Sequence, residues 1–278
     1  MKYVDLHLHT TFSDGTVGPK EVVKQARQQN LVCIAITDHD AVLGIGPASE
    51  EAAGLGLEVI PGVELTAEAN DCEIHILGYF IDWQEQWFQE KLVQIRQVRQ
   101  DRAMAILEKL KAQGISLDSE EILRLAVGGS VGRLHIARIL AREGYVSSIQ
   151  EAFNKYLSRG RSCYVKKLKL TPAEAINMLT KLRGLAVLAH PYTIGNDQLI
   201  AEFARLGLRG IEAYYPEHNQ ATSDHYQKLA QKLGLLVTGG SDYHGQAKEG
   251  AALGGVKVPY AVVEALKAAV EDLRSGKK

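Results

Sequence analysis

Short runs of apolar and β-branched residues recur along the chain and predict β-strands. Seven such runs lie at residues 3–8, 32–37, 58–65, 73–81, 185–189, 210–215 and 235–238. Between most of them the apolar residues repeat with helical spacing, as at residues 19–29, 198–206, 220–233 and 259–273. Another helix is predicted to begin at Thr171-Pro172-Ala173-Glu174, because threonine suits the N-cap, proline the first helical position and glutamate the third. Alternating strands and helices are typical of parallel strands joined by crossovers, and so of an α/β layer fold or barrel.

This alternation stops in the middle of the chain. Residues 83–157 contain no convincing strand pattern. Residues 84–113 have the pattern of one long amphipathic helix, and shorter helices are predicted at 120–127, 134–143 and 149–156. We therefore predict a small α-helical subdomain at residues 96–165, inserted into an α/β domain made of residues 1–95 and 166–278.

Composition narrows the class of protein. Apolar residues make up 46% of the 278 residues and charged residues 23%, which excludes a disordered chain, a collagen-like repeat and a coiled-coil rod. The net charge of −1 shows no excess of positive charge of the kind that binds long DNA. The three cysteines lie far apart, which excludes a zinc ribbon or a CxxC redox motif. No apolar run reaches 18 residues and no apolar signal-peptide core follows Met1, so we expect a cytoplasmic protein without a membrane partner.

Histidine and carboxylate side chains follow the predicted strands. His7 and His9 share one face of the first strand, about 7 Å apart. The other candidates near strand ends are Asp14, His39, Glu64, His75, His190, Asp242 and His244. Each has an ordinary alternative: a histidine in an apolar strand is often a core residue, Asp14 precedes a glycine as turn formers do, and Asp38 and Asp40 suit helix caps. Together they predict a metal site, because parallel α/β folds carry their active sites at this edge.

The ligand types narrow the metal and the substrate. Imidazole and carboxylate without thiolate suit Zn, Mn or Fe(II). Nine candidate ligands exceed the need of one ion and fit two or three divalent ions that share a bridging carboxylate or hydroxide. Three divalent ions and three ligand carboxylates leave a surplus of positive charge, which favours an anionic substrate such as a phosphate ester. Such ions lower the pKa of a bridging water and bind the attacking and leaving oxygens.

The order His7-x-His9, Asp14, His39, Glu64, His75, His190, Asp242-x-His244 resembles the metal-binding pattern of the PHP (polymerase and histidinol phosphatase) family. The resemblance covers about residues 1–82 and 166–260 and includes all nine positions. It implies an α/β fold in the form of a distorted (β/α)7 barrel, with a trinuclear metal centre at the carboxyl ends of the strands. It assigns three ligand sets, in which Glu64 bridges the first two: His7, His9, Glu64 and Asp242; Glu64, His75 and His190; and Asp14, His39 and His244.

A closer resemblance is to small stand-alone PHP phosphoesterases that carry a helical insertion. These include 3′,5′-nucleotide bisphosphate phosphatases, some of which also trim short RNA from the 5′ end. The motif at residues 132–137, GRLHIA, carries this resemblance, although family members often have proline where this chain has Leu134. So does the later stretch that contains Lys155-Tyr156-Leu157, Arg159-Gly160-Arg161 and Tyr164-Val165. The resemblance implies that the GRLHIA motif faces the substrate. There Arg133 suits bidentate contact with a phosphate, and Ser130 and His135 are candidates to assist it. His218, which follows another predicted strand, is a further candidate for phosphate contact. Among the ligands, we expect catalytic roles for His7, His9, Glu64, His190 and Asp242.

These residues predict a metal-dependent phosphoesterase that uses a water as nucleophile and releases phosphate from a nucleotide. The expected substrate is a 3′,5′-bisphosphonucleoside, with short 5′-phosphorylated RNA as a further partner. A histidinol-phosphate-type phosphatase is the first alternative, and a non-catalytic metal-binding module or polymerase accessory is the second. The complete ligand set favours an enzyme over a module that has lost its activity. Two residues also have alternatives without a role in substrate binding: Arg133 as the solvated start of a helix, and His218 as a surface histidine.

Overall fold

One eight-stranded sheet curls into a nearly closed barrel. The computed structural model describes residues 2–69, 72–127, 129–166, 170–248 and 250–276. The strands are β1 (Tyr3–Leu8), β2 (Leu31–Ile36), β3 (Glu58–Ala69), β4 (Cys72–Tyr79), β5 (Leu185–Leu188), β6 (Gly210–Tyr214), β7 (Leu236–Gly239) and β8 (Val258–Pro259). Their spatial order is β7-β6-β5-β4-β3-β2-β1-β8. Beyond β7, Tyr243 pairs with Leu8, and its carbonyl accepts a 2.9 Å hydrogen bond from the N–H of His9. This contact brings the end of β7 to β1 and gives the predicted α/β barrel.

The alternating pattern predicted parallel strands, and this prediction is wrong for β4. Within the three-strand groups β1–β2–β3 and β5–β6–β7 the neighbours are parallel. However, β4 is antiparallel to both β3 and β5. Only two residues separate β3 from β4, and a crossover between parallel strands needs a dozen or more. Because β4 runs in the reverse direction, His75 near its start pairs with Thr66 in the second half of β3, at the edge where the parallel strands end.

Helices cover the barrel wall. They are α1 (Pro19–Gln28), α2 (Ile45–Leu55), α7 (Pro172–Lys181), α8 (Asp197–Arg205), α9 (Gln220–Leu233) and α10 (Ala261–Ser275). Helix α7 has the predicted capping box, in which Thr171 and Glu174 bond reciprocally. Helix α2 was not predicted, since its buried face consists of Ile45 and two alanines. No helix among the described residues is both long and apolar enough to cross a membrane.

Successive strand residues enter different apolar clusters, as the pleat requires. In β2, Ile34 and Ile36 belong to a cluster that packs the strands against the surrounding helices, including α1 and α7. Their neighbours Cys33 and Ala35 belong to a second cluster that contains Val263 and Leu266 of α10. Most strand side chains are therefore buried, which leaves the chemistry to the strand ends.

A third apolar cluster lies within the inserted helices. These are α3 (Gln86–Lys111), α4 (Ser119–Leu125), α5 (Arg133–Arg142), α6 (Ile149–Ala152) and a π-helical turn (Phe153–Leu157). Helix α3 contributes to two cores: Phe88 and Leu92 pack in the barrel cluster, whereas Ala103 and Ile106 pack in the cluster of the insertion. The subdomain boundaries at residues 96 and 165 stay a prediction. Along α3, the helix passes from the barrel cluster to the cluster of the insertion between Leu92 and Ala103.

Candidate metal centre

Glu64 is buried at the centre of a group of histidines. Its Oε2 atom is 3.2 Å from His7 Nε2 and 3.1 Å from both His9 Nε2 and His39 Nδ1. Its Oε1 atom is 2.8 Å from His75 Nδ1 and 3.3 Å from His190 Nε2. The two carboxylate oxygens therefore face two different sets of imidazoles, an arrangement suited to bridging two ions.

Asp242 and Asp14 complete the group on either side of His7 and His9. Asp242 Oδ1 is 3.4 Å from His7 Nε2 and 3.2 Å from His9 Nε2. Asp14 Oδ1 is 3.2 Å from His244 Nε2, and its Oδ2 is 4.0 Å from His39 Nε2. All nine residues predicted as ligands thus lie in one continuous cluster, although they come from segments as far apart as β1 and the end of β7.

The donor atoms of this cluster fit a metal. Three groups each have ligand atoms within 4.8 Å of one another: His9, Asp14, His39 and His244; His7, His9 and Asp242; and His39, Glu64 and His75. Within the described part of the chain, several of these buried atoms have no hydrogen-bond partner: Nε2 of His7 and of His9, Nδ1 of His39, Oδ1 of Asp14 and Oε2 of Glu64. Buried polar atoms without partners are costly, and a divalent ion of the Zn, Mn or Fe(II) type would satisfy them. The division of the nine ligands among individual ions stays a prediction.

The ionised Glu64 and the neutral His39 favour metal binding. Burial alone would raise the pKa of Glu64, but the nearby His75 and His7 hold it well below its usual range, so the carboxylate is ionised. Burial lowers the pKa of His39 to about 3, which keeps this imidazole neutral with a free lone pair. Against the same effect of burial, Asp242 and Glu64 raise the pKa of His9 to about 9, so a metal that binds this imidazole has to displace a proton.

Asp38 holds the loop that carries His9 and Asp14. Its Oδ1 accepts hydrogen bonds from the Thr10 N–H at 2.7 Å and from Ser13 Oγ at 2.6 Å, and its Oδ2 accepts one from Thr10 Oγ1 at 2.7 Å. The alternative that Asp38 caps a helix is wrong, because the backbone and hydroxyls of another loop occupy its oxygens.

Asp40 does not cap a helix either. Its Oδ1 accepts a hydrogen bond from the Thr66 N–H at 3.0 Å, and its Oδ2 accepts one from Arg99 Nε at 2.6 Å. Gly44 is the N-cap of α2. Asp40 therefore links the end of β2 to β3 and to helix α3.

Two groups that the sequence did not assign to the metal site hold Asp242. Tyr215 Oη donates to Asp242 Oδ2 at 2.8 Å, and Lys248 Nζ donates to the same oxygen at 2.6 Å. This leaves Oδ1 to face the histidines. Tyr215 directly follows β6, at a strand end, whereas Lys248 has no recognisable signal beyond its distance of six residues from Asp242.

A cavity of about 190 Å³ connects the cluster to the insertion. Its walls are formed by Asp14, His39, Glu73, His75, Arg99, Arg102, Gly132, Arg133, Leu134 and Phe153. Arg133 Nη2 is 3.1 Å from Glu73 Oε2. Arg102 donates from Nε to the Val165 carbonyl at 2.9 Å, while its Nη2 is buried without a hydrogen-bond partner. Sequence reasoning missed Arg102, which looks like one of several charged positions on a long helix.

Ser130 and His135, which were also predicted to contact the substrate, lie behind this cavity wall. Ser130 and His135 are 1% and 0% exposed. The Ser130 N–H donates to the Phe12 carbonyl at 2.8 Å, and His135 Nδ1 accepts from the Gly132 N–H at 3.0 Å. A Cβ on Gly129 would come within 1.8 Å of the Phe12 carbonyl oxygen, so the insertion lies directly on the loop that carries Asp14. A substrate role for Ser130 and His135 stays a prediction.

His218 is separated from the histidine cluster by the ring of Tyr215. Its Nδ1 donates to the Ala213 carbonyl at 2.9 Å, and its Nε2 is buried without a hydrogen-bond partner. The ring of Tyr215 lies between His218 and His190, with centroid distances of 5.4 and 5.6 Å. The alternative of an ordinary surface histidine stays open beside a substrate contact.

Comparisons with known proteins agree with this geometry. The family model of the PHP domain matches residues 5–164. The chain is 38% identical over 254 residues to the 5′-3′ exoribonuclease Rnm of Escherichia coli, covering 86% of this chain and 84% of that protein. It is 32% identical over 260 residues to the 3′,5′-nucleoside bisphosphate phosphatase of Chromobacterium violaceum, covering 91% of each.

A solved structure shares the same overall fold. A protein from Bifidobacterium adolescentis, described as a metal-dependent phosphoesterase, aligns with a TM-score of 0.89 at 28% identity over 96% of both chains. The alignment thus includes the inserted helices as well as the barrel. The family model covers more than half of the sequence, and its match begins at β1, with the first histidines of the cluster. The chain belongs to the PHP domain family, and it is a phosphoester hydrolase.

Proposed function

We propose that this enzyme releases the 3′-phosphate of 3′,5′-bisphosphonucleosides such as adenosine 3′,5′-bisphosphate. The observation that carries the proposal is the cavity with candidate metal ligands on one wall and arginines on the other. A phosphate held at the ligand wall would leave a second phosphate of the same nucleotide facing Arg102 and Arg133. Guanidinium groups match phosphate oxygens in a planar, bidentate geometry.

The nine histidines and carboxylates would hold two or three divalent ions, with Glu64 between the two imidazole sets. When bound, such ions supply Lewis acidity and an activated water as the nucleophile. The chain itself then has to bind and orient the phosphate ester and keep the ligands in place. No side chain is needed as a covalent nucleophile, because water attacks the phosphorus.

Arg133 is the group we assign to the second phosphate. It begins helix α5, where the helix dipole also favours an anion, and its side chain is one-fifth exposed. Glu73, which it contacts at 3.1 Å, is itself 3.2 Å from His75 Nε2. An incoming phosphate would replace this carboxylate as the partner of Arg133. Because Glu73 also contacts His75, binding of the second phosphate would affect a candidate metal ligand.

A second candidate function, trimming of short RNA from the 5′ end, is favoured by the charge of the insertion. Residues 96–165 contain twelve Lys and Arg against seven Asp and Glu, a net charge of +5, while the rest of the chain carries −6. A basic cap over the cavity would attract the further phosphates of an oligonucleotide. The similarity to a 5′-3′ exoribonuclease points the same way.

A phosphate-release assay with Mn²⁺ separates these functions. It compares adenosine 3′,5′-bisphosphate, adenosine 5′-monophosphate, a short 5′-phosphorylated RNA and histidinol phosphate. We expect the highest kcat/KM with the bisphosphate and adenosine 5′-monophosphate as its product by chromatography. Preferred cleavage of the RNA would make trimming the main activity, and preference for histidinol phosphate would overturn the nucleotide proposal.

A further inference from the structure

Glu212 in β6 contacts two candidate metal ligands with one buried carboxylate. Its Oε1 is 3.0 Å from His7 Nδ1, and its Oε2 accepts a 2.8 Å hydrogen bond from the backbone N–H of His190. The side chain of Glu212 is fully buried. We propose that Glu212 is a positioning residue that presets His7 and His190 for metal binding. This inference rests on the proposed metal site, but not on the identity of the substrate.

The contact with His7 selects which ring nitrogen is available to a metal. A carboxylate oxygen accepts hydrogen bonds, so the Nδ1 atom of His7 carries the hydrogen that points to Glu212. The lone pair is then on Nε2, the atom that lies 3.2 Å from Glu64 Oε2 and has no hydrogen-bond partner of its own. A second contact of this kind is the usual means by which a protein orients a metal-binding imidazole.

The contact with His190 fixes a backbone that few residues adopt. His190 lies two residues beyond the end of β5 and has φ +27° and ψ 62°. This conformation aims its ring at the cluster, where Nε2 lies 3.3 Å from Glu64 Oε1 and 3.2 Å from His75 Nδ1. Backbone outliers persist where the surrounding structure over-determines them, and the hydrogen bond from the His190 N–H to Glu212 supplies such a restraint.

Glu212 therefore supports both sides of the bridging carboxylate. His7 faces Glu64 Oε2 and His190 faces Glu64 Oε1, so the two histidines belong to the two imidazole sets. Glu212 lies 205 residues from His7 in the sequence and comes from the strand next to β5. A change at this one residue should consequently weaken metal binding on both sides of Glu64.

The substitution Glu212→Gln tests this role. His7 and His190 face two different oxygens of Glu212, and a glutamine in the same position replaces one of these oxygens with an NH₂ donor, so it loses one of the two acceptors. If its oxygen serves the His190 N–H, its NH₂ faces His7 Nδ1 and favours a hydrogen on Nε2, the atom proposed to bind metal. We expect Mn²⁺ affinity of the metal-stripped protein to fall about 10- to 100-fold in titration calorimetry.

The matched control is Glu202→Gln on the exposed face of α8, which should leave Mn²⁺ affinity unchanged. In Glu212→Gln, excess Mn²⁺ should restore much of kcat, which a disrupted fold would not allow. Unchanged Mn²⁺ affinity in a folded Glu212→Gln protein would overturn the proposal. Because affinity is measured without substrate, the result is independent of which phosphate ester the enzyme uses.

A measurement on the unmodified protein covers the case in which Glu212→Gln does not fold. In Zn²⁺-loaded protein with ¹⁵N-labelled histidine, NMR distinguishes a metal-bound ring nitrogen from one that carries hydrogen. We expect zinc on Nε2 of His7 and a hydrogen on Nδ1. Zinc on Nδ1 would overturn the proposal, since that atom faces Glu212.

Discussion

The strand ends of the barrel and the inserted helices form the same cavity but support their side chains in different ways. At the strand ends, the candidate ligands are buried or half-buried, and several contact a neighbouring carboxylate, as His7 contacts Glu212. In the insertion, Arg133 is partly exposed and has Glu73 as a replaceable partner. The difference fits our proposal that the barrel supplies the reaction chemistry, whereas the insertion selects the substrate.

Removal of metal should have the largest effect, because it acts on the barrel site itself. We expect chelation to abolish phosphate release from every substrate and added Mn²⁺ to restore it, since the donor set consists of nitrogen and oxygen without thiolate. The measurement is phosphate release before and after metal stripping, with metal content determined alongside. Full activity of the stripped protein would contradict the mechanism.

Substitution of the bridging carboxylate should be the next most damaging change. Glu64→Gln removes a charge that faces both imidazole sets, while Asp14→Asn affects a residue at one side of the cluster. We expect Glu64→Gln to lower kcat by more than the roughly 10- to 100-fold typical of groups that only support ligands. Steady-state kinetics at saturating Mn²⁺ compares the two variants. A greater loss in Asp14→Asn would show that the bridging assignment is wrong.

The substitution Arg133→Ala should separate substrate selection from chemistry. Loss of a charge-assisted contact costs roughly 1.5–3 kcal/mol, or about 10- to 150-fold in kcat/KM for a 3′,5′-bisphosphonucleoside. A simple phosphate monoester should be affected much less, because its only phosphate would lie at the metal ligands. Metal content should stay the same.

Equal losses on both substrates would mean that Arg133 contacts the reacting phosphate or holds the insertion in place. No loss on either would remove Arg133 from recognition and favour the histidinol phosphate alternative.

The smallest effect is expected from another arginine of the insertion. Arg124 is 65% exposed and forms ion pairs with Asp118 and Glu120 at the surface of α4. Exposed pairs of this kind contribute about 0–1 kcal/mol to stability. Arg124→Ala should therefore leave kcat/KM unchanged for both substrates and shift Tm only slightly in a thermal melt. A loss comparable to that of Arg133→Ala would indicate a general effect of positive charge rather than a specific phosphate contact.

Local patterns in the sequence determined the elements and most of the candidate ligands. The capping box at Thr171 and Glu174 and the long helix after residue 84 depend on contacts within a few residues, so both could be predicted. The two-residue spacing of His7 and His9 likewise determines that they share a strand face. The ends of parallel strands meet at one edge, which explains why ligands distant in sequence could be predicted to lie together.

Only the tertiary structure decided how these parts meet. The reversed direction of β4, the hydrogen bond of Glu212 to His7 and the position of Arg102 in the cavity wall are long-range features. Residues such as Glu212 and Arg102 have the same local pattern whether they face solvent or a buried partner. Their surroundings are set by the closure of the barrel and the packing of α3 across it, which no pattern of neighbouring residues encodes.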